Sequence, residues 1–251
     1  MSDILVAKDL CKTFSNESVQ QHVLKNLNLS IKEGDFTVIM GNSGSGKSTL
    51  LYALSGMDRP TLGSISYNGE EISKYSNDKL AVFRRKHCGF VFQQNYLNDT
   101  MSVLDNIMIC GLLVNKDRKA LVGKAKELLL QVGISEQTFN KFPTQLSGGE
   151  QQRVAVIRGI INEPEILFAD EPTGALNSQN TENVLNVLTE LNKKGQSIVM
   201  VTHDMKSARR ANRVLYLKDG IITGELELGQ YQSGDKERHD KLRHFLQEMG
   251  W

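Results

Sequence analysis

The first third of the chain carries the apolar patterns of strands. In Val23 to Ile31 apolar residues alternate with polar ones, which predicts a half-buried strand, and Ile4 to Leu10 is a second β-rich run. Phe36 to Met40 is almost wholly apolar, which predicts a parallel strand covered on both faces. The segment 41–46, rich in glycine, ends this run, and helical spacing follows from Lys47 to Gly56.

Helical spacing dominates the middle of the chain. Two turn-bounded strands are predicted around Ser64 to Tyr67 and His87 to Phe92, and from Ser102 to Val132 the apolar residues fall at helical intervals. We interpret this stretch as a helical insertion. A further helix is predicted from about Gly149 to Ile161, because its apolar residues share one face.

Strands and helices alternate again in the last third. Ile166 to Asp170 and Ser197 to Asp204 are predicted strands, with a predicted helix over Thr181 to Lys194 between them. The remaining predicted elements are a helix near Met205 to Ala211, a hairpin of Val214 to Lys218 with Ile221 to Glu227 that turns at Asp219 and Gly220, and a final helix. This alternation predicts an α/β fold with a parallel sheet.

Composition narrows the class of protein. The 251 residues are 39% hydrophobic and carry a formal net charge of +1, which excludes disorder, collagen and coiled coil and leaves no basic excess for nucleic acid. Three distant cysteines provide neither a disulfide framework nor a metal pair. No apolar run approaches the ~20 residues of a membrane span, and the N-terminal residues lack a signal-peptide pattern. We therefore expect a soluble, cytosolic chain.

A glycine-rich loop carries the strongest chemical signal. It has the pattern GxxxxGKS between a buried strand and a helix, and its backbone N–H groups would wrap a phosphate at the positive end of that helix. Lys47 would reach the β- and γ-phosphates, and Ser48 would offer its hydroxyl to Mg²⁺. The predicted nucleoside-triphosphate-binding residues are Gly41, Asn42, Ser43, Gly44, Ser45, Gly46, Lys47, Ser48 and the following Thr49.

Two further segments have patterns that suit phosphate chemistry. The apolar strand at Ile166 ends in two carboxylates, of which Asp170 would hold Mg²⁺ and Glu171 would deprotonate the attacking water. The sequence LSGGEQQR, residues 146–153, begins a helix with a serine and two glycines, which is a second helix start suited to an anion. On the residues alone, this second segment is also consistent with a turn that only caps a helix.

The motif LSGGEQQRVAVIRG resembles the signature of ATP-binding-cassette (ABC) ATPases, and the resemblance extends in the family's order from about Phe14 to His203. It implies an α/β fold: a P-loop NTPase core with a mixed, mainly parallel sheet, an antiparallel β subdomain and an inserted α-helical subdomain. Two such chains would pair head to tail as a homodimer, so that ATP on one P-loop is capped by the partner's signature. The residues implied to contact ATP in trans are Ser147, Gly148, Gly149 and Gln151.

Three more positions match the family's motifs. Phe14 matches the aromatic residue that stacks on adenine, although a residue there also suits plain packing at a strand end. Gln93 matches the glutamine that reaches Mg²⁺ and the attacking water, with Gln94 as its neighbour. His203 matches the histidine that contacts the γ-phosphate. The resemblance thus implies ATP and Mg²⁺ as cofactors, with Lys47, Gln93, Glu171 and His203 as catalytic residues and Ser48, Gln93 and Asp170 as metal ligands.

The resemblance also implies a place in the cell and partners. The segments SGSGKSTL, GFVFQQ, LSGGEQQR and ADEPTGAL most resemble the group that serves lipoprotein-release, macrolide-export and antimicrobial-peptide-resistance permeases. We therefore expect an ATPase motor that drives separate integral membrane permease subunits from the cytoplasmic face of the cell membrane. Its expected task is export of, or resistance to, an antimicrobial peptide, a drug or a lipoprotein.

Two other functions stay open at this point. A non-transport ABC ATPase usually has a long coiled coil or two cassettes, whereas this chain has one P-loop and a compact insertion. A regulatory dimerisation module that hydrolyses little ATP is supported only by Asn177, which stands where the family usually has Asp. Glu171 argues against that second alternative.

The domain prediction assigns residues 1–227 to the ABC ATPase domain, with the helical insertion at about 97–162, and 228–251 to a C-terminal helical tail. An apolar stripe at helical spacing in the tail predicts a helix docked on its own body or on the other subunit. A frayed terminus and a membrane-surface helix are the alternatives. Trp251 would either anchor this helix or extend free of it.

Overall fold

The computed structural model describes residues 2–16 and 19–251, and the strands of this part alternate with helices as the sequence predicts. In chain order the strands are β1 (Asp3–Asn16), β2 (Val19–Lys32), β3 (Phe36–Met40), β4 (Leu62–Tyr67), β5 (Glu70–Glu71), β6 (Cys88–Phe92), β7 (Ile166–Asp170), β8 (Ser197–Val201), β9 (Arg213–Lys218) and β10 (Ile221–Glu227).

The α-helices are α1 (Lys47–Leu54), α2 (Asn77–His87), α3 (Val103–Gly111), α4 (Arg118–Gln131), α5 (Gly148–Ile160), α6 (Ser178–Lys193), α7 (Met205–Ala208) and α8 (Lys236–Glu248). Two short 3-10 turns, Glu136–Thr138 and Pro143–Gln145, connect α4 to α5. None of the helices within the described ranges is both long and apolar enough to cross a bilayer.

The central sheet has six strands in the order β10-β9-β3-β8-β7-β6. Neighbouring strands are parallel except for β10, which pairs antiparallel with β9. Every residue of β3 and of β8 is buried, as expected for strands covered on both faces. The predicted α/β fold is therefore confirmed.

A second, antiparallel sheet has the order β2-β1-β4-β5. Its buried side chains form one core cluster with helix α1 and with one face of the central sheet. Leu5 of the antiparallel sheet, Leu51 of α1 and Val199 of the central sheet all belong to this cluster. Helix α1 follows the glycine-rich loop directly, so this core anchors the helix whose N-terminus faces that loop.

The structure corrects three details of the sequence prediction. Helix α2 was not predicted: it buries only Leu80 and Phe83, so its apolar period is weak, although Ser76 caps its start. His87, predicted to open a strand, is the last residue of that helix. The predicted helical stretch from 102 to 132 is two helices, because Asp117 caps α4 and begins a new helix.

The C-terminal segment forms a helix that packs on the rest of the chain. Leu242, Phe245 and Leu246 of α8 are buried in the larger core cluster. The Arg238 side chain is 3% exposed, and its guanidinium donates hydrogen bonds to the backbone carbonyls of five residues: Arg209, Ala211, Leu228, Gly229 and Gln230. A buried cation with several acceptors fixes the first turn of the helix.

Candidate functional site

The carboxyl ends of four parallel strands bring the predicted residues to one edge of the central sheet. In the register of the sheet, Phe92 of β6 lies beside Asp170 of β7, and Asp170 lies beside Val201 of β8. Val201 also pairs with Ile39 of β3, which the glycine-rich loop follows. Gln93, Glu171, His203 and the loop therefore leave the sheet at the same edge.

A cleft of about 770 Å³ opens at this edge. Eleven of the predicted residues line it: Phe14, Gly41, Asn42, Ser43, Gly44, Gly46, Lys47, Ser48, Thr49, Glu171 and His203. The cleft is also lined by three residues that were not predicted: Gln21, Val23 and Trp251. This volume suits a small-molecule ligand of the size of a nucleotide.

The glycine-rich loop has the backbone of an anion cradle. Gly46 has φ +101°, a left-handed conformation that favours glycine, and it is the residue from which α1 begins. Lys47 is buried, and its ammonium donates to the carbonyls of Gly41 and Asn42 at 2.9 Å each. Burial lowers the pKa of Lys47, against the opposing effect of Glu171 and Asp170. The buried hydroxyl oxygen of Ser45 has no hydrogen-bond partner within the described part of the chain, which suits a phosphate oxygen.

Asp170 is held by two hydroxyl groups of α1. Ser48 Oγ donates to Asp170 Oδ1 at 2.9 Å, and the Tyr52 hydroxyl donates to Oδ2 at 2.7 Å. Burial and the neighbouring Asp170 raise the pKa of Tyr52, so the phenol keeps its proton. Sequence reasoning missed Tyr52; the available signal was its spacing, one helical turn after Ser48.

Glu171 and His203 form a pair in the cleft. His203 Nδ1 lies 3.0 Å from each carboxylate oxygen of Glu171. The backbone N–H of Glu171 donates to the carbonyl of Val201, which ties the end of β7 to the end of β8. Glu171 has φ +46°, a conformation that is uncommon for a residue with a Cβ and that concentrates at functional sites.

Helix α5 begins with a complete capping box. The Ser147 hydroxyl accepts from the Glu150 N–H, and the Glu150 carboxylate accepts from the Ser147 N–H at 2.9 Å and from its hydroxyl at 2.7 Å. A Cβ at Gly149 would lie 2.3 Å from Asn180 Oδ1, so only glycine fits against α6. None of residues 146–152 lines this cleft.

The loop after β6 is joined to α5 by hydrogen bonds. Gln151 does not point outward: its amide accepts from Asn95 and donates to the carbonyls of Pro143 and Leu146. Gln152, which was not singled out from the sequence, donates to the carbonyl of Phe92 at 2.7 Å.

Gln93, Asn177 and Phe14 lie at the surface. The Gln93 amide nitrogen is 2.9 Å from the position that a Cβ of Gly174 would occupy, so it lies beside the segment that follows Glu171. Asn177 caps α6 through its side chain. The Phe14 ring is 47% exposed, with the Lys12 ammonium 4.9 Å from its centre.

Comparison with known proteins decides the family. A family model described as "ABC transporter" matches residues 24–174, more than half of the chain. The chain belongs to the ABC transporter family. The lipoprotein-releasing system ATP-binding protein of Aquifex aeolicus is 43% identical over 90% of this chain and 99% of its own length. The bacitracin export ATP-binding protein of Halalkalibacterium halodurans is 40% identical over 98% of this chain and 96% of its own length.

Among solved structures, a dimeric ATP-binding cassette in a post-hydrolysis state bound to ADP and phosphate aligns with a TM-score of 0.83. It is 38% identical and covers 90% of this chain and 100% of its own. These matches confirm the predicted ABC ATPase fold and the predicted function class. The chain is an ATP-binding subunit of an ABC transporter, and such subunits are ATPases coupled to transport.

Proposed function

We propose that this chain is the ATP-hydrolysing motor of an exporter and that the cleft at the sheet edge is its ATP site. The observation that carries the proposal is the convergence of the glycine-rich loop, Asp170, Glu171 and His203 at the carboxyl ends of adjacent parallel strands. In this assignment the loop residues 41–49 hold the phosphates, and Lys47 exchanges its two carbonyl partners for phosphate oxygens.

Glu171 is assigned the role of the base. Its carboxylate lies in the cleft at hydrogen-bond distance from His203, and it would accept a proton from the water that attacks the γ-phosphate. His203 is 63% exposed at its side chain, so it can exchange its contact with Glu171 for one with the γ-phosphate.

Ser48 and Asp170 fit a Mg²⁺ site. Their oxygens are 2.9 Å apart, both are the hard ligands that Mg²⁺ prefers, and the remaining positions suit water and ATP phosphates. Bound there, Mg²⁺ would neutralise charge on the phosphates. Gln93, at the end of the neighbouring strand, is the third proposed ligand.

We further propose that two copies share their ATP sites head to tail. The solved relative is a dimeric cassette, and in this chain Ser147, Gly148 and Gly149 lie at a helix start that does not line its own cleft. That helix start would cap the ATP of the partner subunit. Gln151, predicted to join the contact, is engaged within its own chain and is assigned a supporting role for the loop.

The proposed cargo is a peptide antibiotic, exported through separate membrane permease subunits at the cytoplasmic face of the membrane. The bacitracin export relative matches 98% of this chain, so the match includes helix α8, whereas the lipoprotein-releasing relative covers 90%. Affinity capture of tagged Glu171→Gln chain from native membranes with ATP and Mg²⁺ tests the association with membrane permease subunits. Recovery of a polytopic membrane protein supports it, and recovery of soluble proteins alone would contradict it.

Hydrolysis assays test the assignment of the cleft. We expect Glu171→Gln to bind ATP and lose hydrolysis by a factor of about a thousand, and Lys47→Ala to lose affinity for ATP. Glu165→Gln is the matched control, because Glu165 forms a similar pair with His87 outside the cleft. Equal, near-zero hydrolysis by the wild type and by Glu171→Gln would instead support a regulatory dimerisation module.

A further inference from the structure

Trp251 lies at the wall of the same cleft. It is the one tryptophan in the sequence, the residue is 46% exposed, and it lines the cleft together with Phe14, which is 47% exposed. Among the residues that the structure describes, the other unpredicted cleft residues are Gln21 and Val23 of β2. Two exposed aromatic residues therefore line the same cleft as the phosphate-binding loop.

The docked helix α8 holds Trp251 in this position. Met249 and Phe245 pack directly on β10, where a Cβ at Gly224 would lie 2.5 Å from the Met249 sulfur. The backbone N–H of Trp251 donates to the carbonyl of Leu246 at 3.0 Å, so the helix fixes the backbone that carries the ring. The buried residues of α8 thus hold the helix end, and with it the backbone of Trp251, beside the cleft.

The strands beside the cleft connect this tail to Phe14. The turn between β9 and β10 lies against β2, because the Lys25 N–H donates to the carbonyl of Gly220 at 2.9 Å. Gln21 of β2 pairs in register with Phe14 of β1, and Gln21 also lines the cleft. The β1–β2 hairpin and the tail are therefore connected through the β9–β10 hairpin on the same side of the cleft.

We propose that Trp251 is a base-contacting residue of the ATP site, and that Phe14 and Trp251 together form an aromatic clamp for adenine. This inference rests on the proposed function of the cleft. Aromatic faces bind bases by stacking, which needs no specific hydrogen bonds, and an exposed indole has the largest such face in the chain. The clamp assigns the tail a direct part in nucleotide recognition.

Tryptophan fluorescence reads out this contact directly, since all tryptophan emission comes from Trp251. We expect a saturable change in emission when the wild-type chain is titrated with ATP or ADP in the presence of Mg²⁺. Inorganic tripolyphosphate occupies the phosphate loop without a base, so it should leave the emission unchanged. Lys47→Ala should require much more ATP for the same change.

Calorimetry of variants measures what the indole contributes. We expect Trp251→Ala to weaken ATP binding about tenfold, the size typical of one base–aromatic stack, and Trp251→Phe to bind nearly as the wild type. Tripolyphosphate affinity should stay the same in all three proteins. Arg243→Ala changes an exposed residue of α8 that does not line the cleft, and it is the matched control.

The outcomes of these two experiments distinguish a failure of the aromatic clamp from a failure of the proposed ATP site. If the wild type does not bind ATP by calorimetry, the proposed function of the cleft fails. If ATP binds but Trp251→Ala binds it equally well and the emission does not respond, the clamp is overturned and the site stands. A response to tripolyphosphate equal to that with ATP would likewise overturn the base contact, since it would report phosphate binding alone.

Discussion

At the scale of single residues, hydrogen bonds from one helix hold both oxygens of the Asp170 carboxylate. Ser48 and Tyr52, both on α1, donate to its two different oxygens, so the carboxylate is oriented in the absence of any ligand. A metal ligand held by neighbouring hydrogen bonds loses less rotational freedom when it binds. Of these two donors, only Ser48 belongs to the family motif, and we expect Tyr52 to contribute orientation alone.

Replacing the Tyr52 hydroxyl tests that division of roles. In Tyr52→Phe the Asp170 carboxylate loses one of its two donors, and we expect the Mg²⁺ concentration for half-maximal ATP hydrolysis to rise about tenfold. The rate at saturating Mg²⁺ should stay close to that of the wild type. A magnesium titration of ATPase activity measures both quantities.

Tyr216→Phe is the matched control for Tyr52→Phe. The Tyr216 hydroxyl is buried and has no hydrogen-bond partner within the described residues, so its removal takes nothing from the site. An unchanged Mg²⁺ dependence in Tyr52→Phe, or an equal shift in the control, would refute the orienting role of Tyr52.

At the scale of elements, α5 is held at its start and along one face. Its capping box satisfies N–H groups at the first turn, and Arg158 donates to the carbonyls of Asn95 and Tyr96 at 2.6 Å each. Gln152 adds a contact to the end of β6. The start of α5 and the loop that carries Gln93 therefore form one hydrogen-bonded unit.

The capping box makes the stability of α5 depend on pH. Hydrogen bonds from Ser147 lower the pKa of Glu150 below its ordinary value of 4.5. A lowered native pKa means that the ionised carboxylate stabilises the folded state above pH 4.5, and that this contribution disappears as the pH falls through the native pKa. We expect Glu150→Gln to unfold more easily at pH 7 by about 0.5 kcal/mol.

The same comparison at acidic pH completes this test. Urea unfolding at pH 7 and at pH 3 should give a difference between wild type and Glu150→Gln that shrinks towards zero at the lower pH. A difference of the same size at both pH values would mean that the charge of Glu150 contributes nothing to the cap.

Arg238 anchors α8, and its replacement should loosen the tail. Arg238→Lys keeps the positive charge but cannot reach five carbonyl groups with one ammonium, so several of these carbonyls, including the buried one of Ala211, lose their donors. We expect a loss of about 2 kcal/mol in the free energy of unfolding. Denaturant melts would show it, with Arg243→Lys on the exposed side of the same helix as the control, and equal midpoints would contradict the anchoring role.

At the scale of the whole molecule, local sequence patterns predicted the core strands and the glycine-rich loop, but they did not predict the contacts between distant segments. The apolar run of Phe36 to Met40, the GxxxxGKS loop and the strand ending in Asp170 each depend on neighbours in sequence, and all three are found as predicted. Helix α2 was not predicted, because only two of its side chains are buried and its apolar period is therefore weak.

Contacts between distant segments could not be predicted from one sequence. The spacing of Tyr52 after Ser48 places it on the same side of α1, but it does not reveal that the Tyr52 hydroxyl contacts Asp170, 118 residues later. Trp251 reaches the cleft only because α8 packs on β10, which the apolar stripe of the tail does not specify. The domain boundaries at 97–162 and 227 remain predictions.

The shared-site arrangement itself predicts an unusual result for mixed variants. Ser147→Asp keeps a side chain that caps helices but sets a negative charge where the partner's γ-phosphate would lie, and Lys47→Ala weakens phosphate binding. Each variant alone should hydrolyse little ATP. In a mixed dimer, however, both changes fall in one site, and the other site keeps both natural residues.

An equal mixture of Lys47→Ala and Ser147→Asp should therefore recover activity. Half of the dimers are mixed and each has one intact site, so we expect about a quarter of the wild-type rate when the sites act independently. Ser147→Asn, which caps the helix without the charge, should leave hydrolysis much less affected. A mixture no more active than the mean of its two components would contradict shared sites, because a site built within one chain gains nothing from a partner.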